Sequence, residues 1–143
     1  MKDSKSAPVW FFVVAILAIA WNGIGVVAYV AEAMQTPEQL AQLSEAQREL
    51  YTSKPSWVTA AFAIAVFGGL FASIALIAKK PLAIPLFAIS IAGLIGQNSY
   101  YFLIAKVQNT MDSSNFIMPV VVFIIAIALL FFSRSCNAKG WLS

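Results

Sequence analysis

The stretch Pro8 to Ala31, PVWFFVVAILAIAWNGIGVVAYVA, decides the fold class: it carries no charge, and Asn22 is its one strongly polar side chain. An uncharged run of this length is what a helix needs to cross the roughly 30 Å hydrocarbon core of a bilayer. Lys2 and Lys5 ahead of it, with Ala18-Ile19-Ala20 inside it, imitate a secretory signal and its cleavage site. The apolar character continues for about another ten residues past Ala20, which is span length rather than signal length. The expectation is an uncleaved first span from about Pro8 to Ala31.

Further apolar runs follow at about Trp57 to Ala78, Leu82 to Ala105 and Asn115 to Phe132. The chain has 143 residues, enough for one domain, and is 61% hydrophobic and 10% charged, against about half and a quarter in soluble domains. So much apolar surface cannot be hidden in a soluble fold of this size, so lipid must cover much of it. The sequence therefore predicts an all-α, polytopic membrane protein with four transmembrane helices in one antiparallel bundle, and the lipid bilayer as its main partner. Lys79-Lys80-Pro81 is a tight turn that makes spans two and three antiparallel neighbours. Pro85 falls in the first turn of span three, where it is tolerated.

Between spans one and two lies a polar segment, Glu32 to Ser56. Thr36-Pro37-Glu38-Gln39 is a helix start, with Thr36 as N-cap, Pro37 at the first helical position and Gln39 placed to close a capping box. Leu40, Leu43, Ala46 and Leu50 then recur at helical spacing, with Gln42, Glu45 and Glu49 opposite. This predicts a short amphipathic helix over about 37–50, in the first outer loop, lying on the membrane surface or capping the bundle. Lys54-Pro55 ends it.

The positive-inside rule sets the orientation. With the N-terminus in the cytoplasm, Lys2, Lys5, Lys79, Lys80, Arg134 and Lys139 lie inside, six of the nine Lys and Arg. Arg48, Lys54 and Lys106 lie outside with Glu32, Glu38, Glu45, Glu49 and Asp112. Both termini are expected in the cytoplasm. Interfacial aromatics agree: Trp10 and Trp141 fall at the inner boundary, and Trp57 with Tyr29, Tyr51, Tyr100 and Tyr101 fall at or near the outer one. Trp21 alone sits at mid-depth, beside Asn22.

Several function classes drop out. The net charge of +3 is spread over the ends of apolar runs, with no basic face for nucleic acid. There is no histidine, so no Ser/His/Asp or Cys/His set and no His-based metal site. Cys136 is the one cysteine and cannot form an internal disulfide. No span carries a carboxylate for general acid–base work or proton coupling, and there is no Gly-rich phosphate loop. The sequence predicts no enzyme, no metal and no cofactor. Glu32 reads as a solvated helix end.

Three groups of residues remain as candidates. Ala61, Ala65, Gly69 and Ser73 form a four-residue ladder of small side chains in span two, for close helix packing or a subunit interface; Ala88, Ala92 and Gly96 echo it in span three. Asn22, with Gly23 and Gly25 just beyond, is either an interhelical hydrogen-bonding amide or part of a solute site. Gln97-Asn98-Ser99-Tyr100-Tyr101 is the densest polar cluster in any span, with Gln97 and Tyr101 on one face at i and i+4. Amides beside aromatic rings suit a neutral, hydroxyl-rich solute, and they equally suit an outward helix end. Spans one–two and three–four have the layout of a parallel duplication, with Asn22 and Asn98 in the first span of each, but the two halves match too weakly in sequence to establish a repeat.

Trp21-Asn22-Gly23 with Tyr29, then Thr36-Pro37-Glu38-Gln39, Pro55-Ser56-Trp57, Ala65-Val66-Phe67-Gly68-Gly69, the 97–101 cluster, Met118-Pro119 and the ending Ala138-Lys139-Gly140-Trp141-Leu142-Ser143 resemble a family of small bacterial four-span membrane proteins. The resemblance covers nearly the whole chain. Members are commonly labelled sugar transporter or uncharacterised membrane protein. It implies a bacterial inner (cytoplasmic) membrane and favours transport. The expectation is passive or facilitated movement of a small neutral, sugar-like solute, with Asn22, Gln97, Asn98 and Tyr101 as polar lining. Because four short spans enclose little space, a homo-oligomer is expected with it. The competing expectation is an accessory or scaffold subunit of a larger membrane-protein complex, acting through the small-residue ladders and the outer helix.

Overall fold

Long uninterrupted runs of Ala, Val, Ile, Leu and Phe leave the backbone no polar partner in lipid but itself, and helix is the structure that satisfies it within one segment. The computed structural model describes residues 6–106 and 116–143, and among them there are helices and no strand. The helices are α1 (Val9–Ala33), α2 (Pro37–Ala41), α3 (Glu45–Ser53), α4 (Ser56–Ile77), α5 (Ala83–Ser99) and α6 (Ile117–Ala138), and a π-helical turn, Tyr100–Ile104, prolongs α5. Four helices, α1, α4, α5 with its π-helical turn, and α6, are long and apolar enough to cross a membrane. The protein is an all-helical, multi-pass membrane protein. Lys2, Lys5, Asp112 and Asn115, used above to orient the chain and to begin the fourth span, lie outside the described residues.

α4 lies between α1 and α5 and packs on both, and α6 packs on α5. Successive long helices run antiparallel, which gives the bundle a terminal end, with the start of α1, the α4–α5 turn and the C-terminus, and a loop end, with α2 and α3. The small-residue ladder of α4 is buried along its whole length. It is occupied within the chain. A β-carbon at Gly93 of α5 would stand 2.7 Å from the Ala61 carbonyl oxygen and 2.8 Å from the Ala65 nitrogen. Only a glycine there lets the two backbones come so close. Ser90 Oγ donates to the Ala65 carbonyl at 2.6 Å, a further link across the same seam. The expected second ladder is differently placed: Ala88 and Ala92 are exposed on α5, and Gly96 is half-buried against Ala61.

The terminal end is solid. Phe11, Ala15, Ala18, Leu76, Phe87 and Leu129 form one buried cluster with Cys136 and Leu142. Trp10 meets Phe132 and Trp141 edge-on at 5.8 and 5.4 Å, and Phe11 stacks on Phe132 at 6.1 Å, so aromatic rings tie α1 to α6 here. The tail is part of this core, not a polar appendage. α6 continues to Ala138, beyond the expected end at Phe132, and Gly140 then turns left-handed at φ 83. Gly140 N–H donates to Asn137 O and Trp141 N–H to Cys136 O, both at 3.0 Å, a Schellman stop that swings the tail under the bundle. Leu142 is 1% exposed, and Ser143 N–H donates to Lys79 O at 2.9 Å. Lys139 Nζ lies 4.8 Å over the Trp141 ring, its charge facing outward over the aromatic seal.

At the loop end the expected single amphipathic helix is two short ones. The capping box forms as expected: Gln39 N–H donates to Thr36 Oγ1 and Thr36 N–H to Gln39 Oε1. Ser44 then caps a new helix by accepting from Gln47 N–H at 3.2 Å. Arg48 reaches back with Nε to Leu40 O and Nη2 to Ala41 O and Leu43 O. The guanidinium thus satisfies the carbonyls that the end of α2 leaves open, and α2 and α3 fold into a corner over the bundle. Glu32 is no solvated helix end either. It forms an ion pair with Lys54, whose side chain is 7% exposed, and so pins the end of α1 to the start of α4.

Candidate functional site

Two chambers lie between the middle of the bundle and its loop end. The central cavity, about 380 Å³, lies between all four long helices, and the loop-end chamber, about 590 Å³, lies between them and the α2–α3 corner. Both volumes fall in the roughly 300–1,000 Å³ range of small-molecule sites. They share four wall residues, Ala28, Phe62, Gln97 and Pro119, one from each long helix. These residues form the neck between the chambers, and Gln97 is its polar member. Both spaces are bordered by residues of a single chain.

The neck sits where α5 changes pitch. Ala105 N–H donates to Tyr100 O at 2.8 Å, a five-residue step that marks the π-helical turn directly after the polar cluster. Such a turn widens the helix and re-aims the side chains around it. Asn98 faces the central cavity, with its Nδ2 donating to Leu94 O at 2.9 Å. Tyr101 faces the loop-end chamber, whose wall it shares with Gln97. Tyr100 points the other way, buried edge-on against Trp57 at 5.7 Å.

Asn22 enters the central cavity from α1 and stands in a hydrogen-bonded relay. Its Nδ2 donates to Ala18 O at 2.9 Å and to Ser73 Oγ at 3.2 Å, and Ser73 donates in turn to Gly69 O at 2.8 Å. A β-carbon at position 69 would overlap Asn22 Oδ1. The glycine of the ladder is thus the seat of the mid-depth amide, and two candidate groups that looked separate in the sequence are one structure. Asn22 joins α1 to α4, as the interhelical reading expects, and it also lines a cavity. Trp21 lines the same cavity.

The structure brings Asn22, Gln97 and Asn98 onto the central cavity, with Gln97 and Tyr101 on the loop-end chamber. Gln35, Gln39, Gln47 and Tyr51, with Glu32, complete the wall of that upper chamber. The sequence reading missed these as site residues. Their only signal was the run of glutamines in a segment read as surface helix, and it is the fold-back by Arg48 that turns them inward. The Tyr51 phenol is pushed above its ordinary value of 10.0, first by burial and then by the negative charge of Glu32, with Lys54 opposing. It is neutral and a hydrogen-bond donor at physiological pH. Among the described residues the upper chamber therefore presents amides and phenols beside apolar side chains, and its one carboxylate is paired with Lys54. Amides both donate and accept, so the wall can match hydroxyl or amide groups of a neutral solute without demanding a charge.

Comparison with known proteins adds no relative: no family model, no curated protein and no solved structure matches the chain.

Proposed function

We propose that the protein is a non-catalytic carrier or permeation protein for a small neutral solute rich in hydroxyl groups, sugar-like in chemistry, which it takes up at its loop end. The observation that carries this reading is the neck: one residue from each long helix, with the Gln97 amide between a polar chamber and a deeper cavity that holds Asn22 and Asn98. Two chambers in series, with amides at the join, form a path along which a hydroxyl-bearing solute exchanges hydrogen-bond partners stepwise. Aromatic and apolar side chains beside the amides, Phe62 and Tyr101 among them, give the flat faces that sugar rings favour. The resemblance to four-span proteins labelled sugar transporters points the same way. The bias of Lys and Arg toward the terminal end favours an orientation with that end in the cytoplasm of a bacterial inner membrane.

The accessory-subunit reading is weaker here, because the ladder it relied on is taken up between helices of the same chain. A homo-oligomer, if formed, would use outward faces such as that of α1, where Val13, Leu17, Ile24 and Val27 are exposed. The test is uptake of radiolabelled hexose into proteoliposomes, with Gln97→Ala and Asn22→Ala beside the parent chain. The expected result is uptake above empty liposomes that falls at least tenfold in Gln97→Ala, with the helical content and native mass of the variant unchanged. Equal uptake by the parent and both variants sinks the reading.

A further inference from the structure

The two chambers differ in chemistry in a way that a free sugar does not explain. Glutamines and tyrosines make up much of the wall of the loop-end chamber, beside Leu50 and the rings of Phe62, Phe102 and Phe116, whereas the wall of the central cavity is mostly apolar, with Ile24, Val66, Leu94, Val122 and Ile125. A sugar driven into that lower space would leave most of its hydroxyls without partners. Yet the space is large. At about 380 Å³ it is more than twice the roughly 150 Å³ of an apolar protein cavity that holds benzene. Left vacant, its walls would lose the packing contacts that hold helices together in lipid.

The cavity also has a side facing the hydrocarbon. Ile24 of α1 and Met118 of α6 both line it, and they are 65% and 60% exposed. α1 and α6 are tied by aromatic rings at the terminal end, and they are not among the closely packed helix pairs. The seam between them at the level of the cavity is therefore open toward the lipid chains. Among the described residues no charged side chain lines the central cavity, and the one that lines the loop-end chamber, Glu32, is already paired with Lys54.

We propose that the ligand is a single-chain amphiphile with a neutral, hydroxyl-rich headgroup, its head in the loop-end chamber, its neck at Gln97 and its apolar tail in the central cavity, reached sideways from the bilayer between α1 and α6. The inference rests on the reading of the upper chamber as a site for neutral hydroxyl groups, and it changes the substrate class from a free sugar to a sugar-headed lipid-like molecule. Asn98, whose Nδ2 spends one hydrogen on Leu94 O, then meets the first polar atom below the head with the other, where a glycosidic or ester oxygen would sit. A charged phospholipid is disfavoured because, among the described residues, neither chamber's wall holds a cation to pair with its phosphate.

Equilibrium binding of labelled glucose and of methyl, butyl, hexyl and octyl β-glucosides to the full chain in nanodiscs tests this, with empty nanodiscs subtracted and octanol as the chain without the sugar. Affinity is expected to rise about three- to fourfold per methylene, the ratio for burying a CH₂ group, from butyl to octyl. Ala126→Leu and, separately, Val122→Phe narrow the central cavity, and each is expected to flatten the chain-length dependence while binding of methyl glucoside stays the same. Two variants on the same wall guard against one that fails to fold, and circular dichroism checks both. Saturable binding of glucose and methyl glucoside with no gain from chain length overturns the inference and leaves the sugar reading in place. Octanol binding as well as octyl glucoside, with the chain-length dependence lost in the variants, shows a tail site and removes the sugar headgroup instead. No saturable binding above empty nanodiscs by any member of the series overturns the inference outright.

Discussion

The terminal and loop ends of this bundle are built from the same four helices, yet one is a packed core and the other holds two chambers. At the terminal end Phe11, Leu76 and Leu142 are each 1% exposed or less. At the loop end Phe62, Leu94 and Val122 border open space instead. Composition does not separate them, since both ends are rich in Phe, Leu, Val and Ile. The difference lies in what holds α6. At its terminal end α6 is fastened by the Trp10 and Phe11 rings of α1 and by the back-folded Trp141 and Leu142. At its loop end it begins with Ile117-Met118-Pro119 against a π-helical turn of α5, and no small-residue ladder draws the two together. In lipid, where apolar contact alone gives little preference for protein over solvent, close approach needs small residues or interlocking rings. Where neither is present the helices stand apart.

The contrast can be broken most directly by truncating equivalent side chains in the two halves. Phe11→Ala should destabilise the fold by about 3 kcal/mol, the low end for buried Phe since lipid replaces water as the reference. Leu94→Ala, which only enlarges an existing cavity, should cost less than about 1 kcal/mol on the same reasoning. Reversible unfolding in mixed micelles reads both, and equal losses would mean that the chambers are filled in solution.

Next in size is the seam that keeps α4 and α5 together across both halves. Gly93→Ala forces a methyl against the Ala61 and Ala65 backbone and should lower stability by about 1–3 kcal/mol. Gly96→Ala on the same helix has its new carbon at an ordinary 3.5 Å from Ala61 Cβ and should be close to neutral. If the two alanines behave alike, α4 and α5 are not in the close contact described.

Smaller again is the amide relay at the boundary of the two halves. Asn22→Ala removes the bonds to Ala18 O and Ser73 Oγ, and a loss of about 0.6–2 kcal/mol is expected. Ser73→Ala should reproduce only part of it, because Nδ2 keeps the Ala18 carbonyl. A double-mutant cycle in the same unfolding assay gives the coupling, and strict additivity would separate the residues.

The smallest effect concerns the loop end alone. The folded-state pKa of Tyr51 is raised above 10.0, so its neutral form contributes stability that is fully present below about pH 10. That contribution is lost as pH rises through the higher folded value. Glu32→Gln should bring the phenol titration, followed by ultraviolet absorbance, back down toward the ordinary value. No movement would mean that Glu32 is not beside Tyr51.

Much of the architecture was legible in residue patterns alone. The charge-free runs, Lys79-Lys80-Pro81, the Thr36 capping box and the isolation of Asn22 in α1 each follow from local chemistry. A membrane leaves a long apolar segment one economical backbone solution, so span-forming segments can be read one at a time. The small-residue ladder was legible too, because spacing of four is a property of one helix. Its partners were not: nothing in the sequence says that Gly69 seats Asn22 or that Gly93 faces Ala61, since these contacts join residues from different helices.

What only the tertiary structure decided is how the segments share space. The split of the amphipathic segment at Ser44 depends on Arg48 finding the carbonyls of α2, and that fold-back is what turns Gln35, Gln47 and Tyr51 into a chamber wall. The burial of Leu142 depends on Gly140 reversing the chain beneath helices that are distant in sequence. Cavities, above all, are properties of what is missing between helices, and absence of contact leaves no mark on any single stretch of residues. The sequence determined that four apolar helices cross a membrane with an amide at mid-depth. The packing of those helices decided that one end closes and the other holds the space where a ligand can sit.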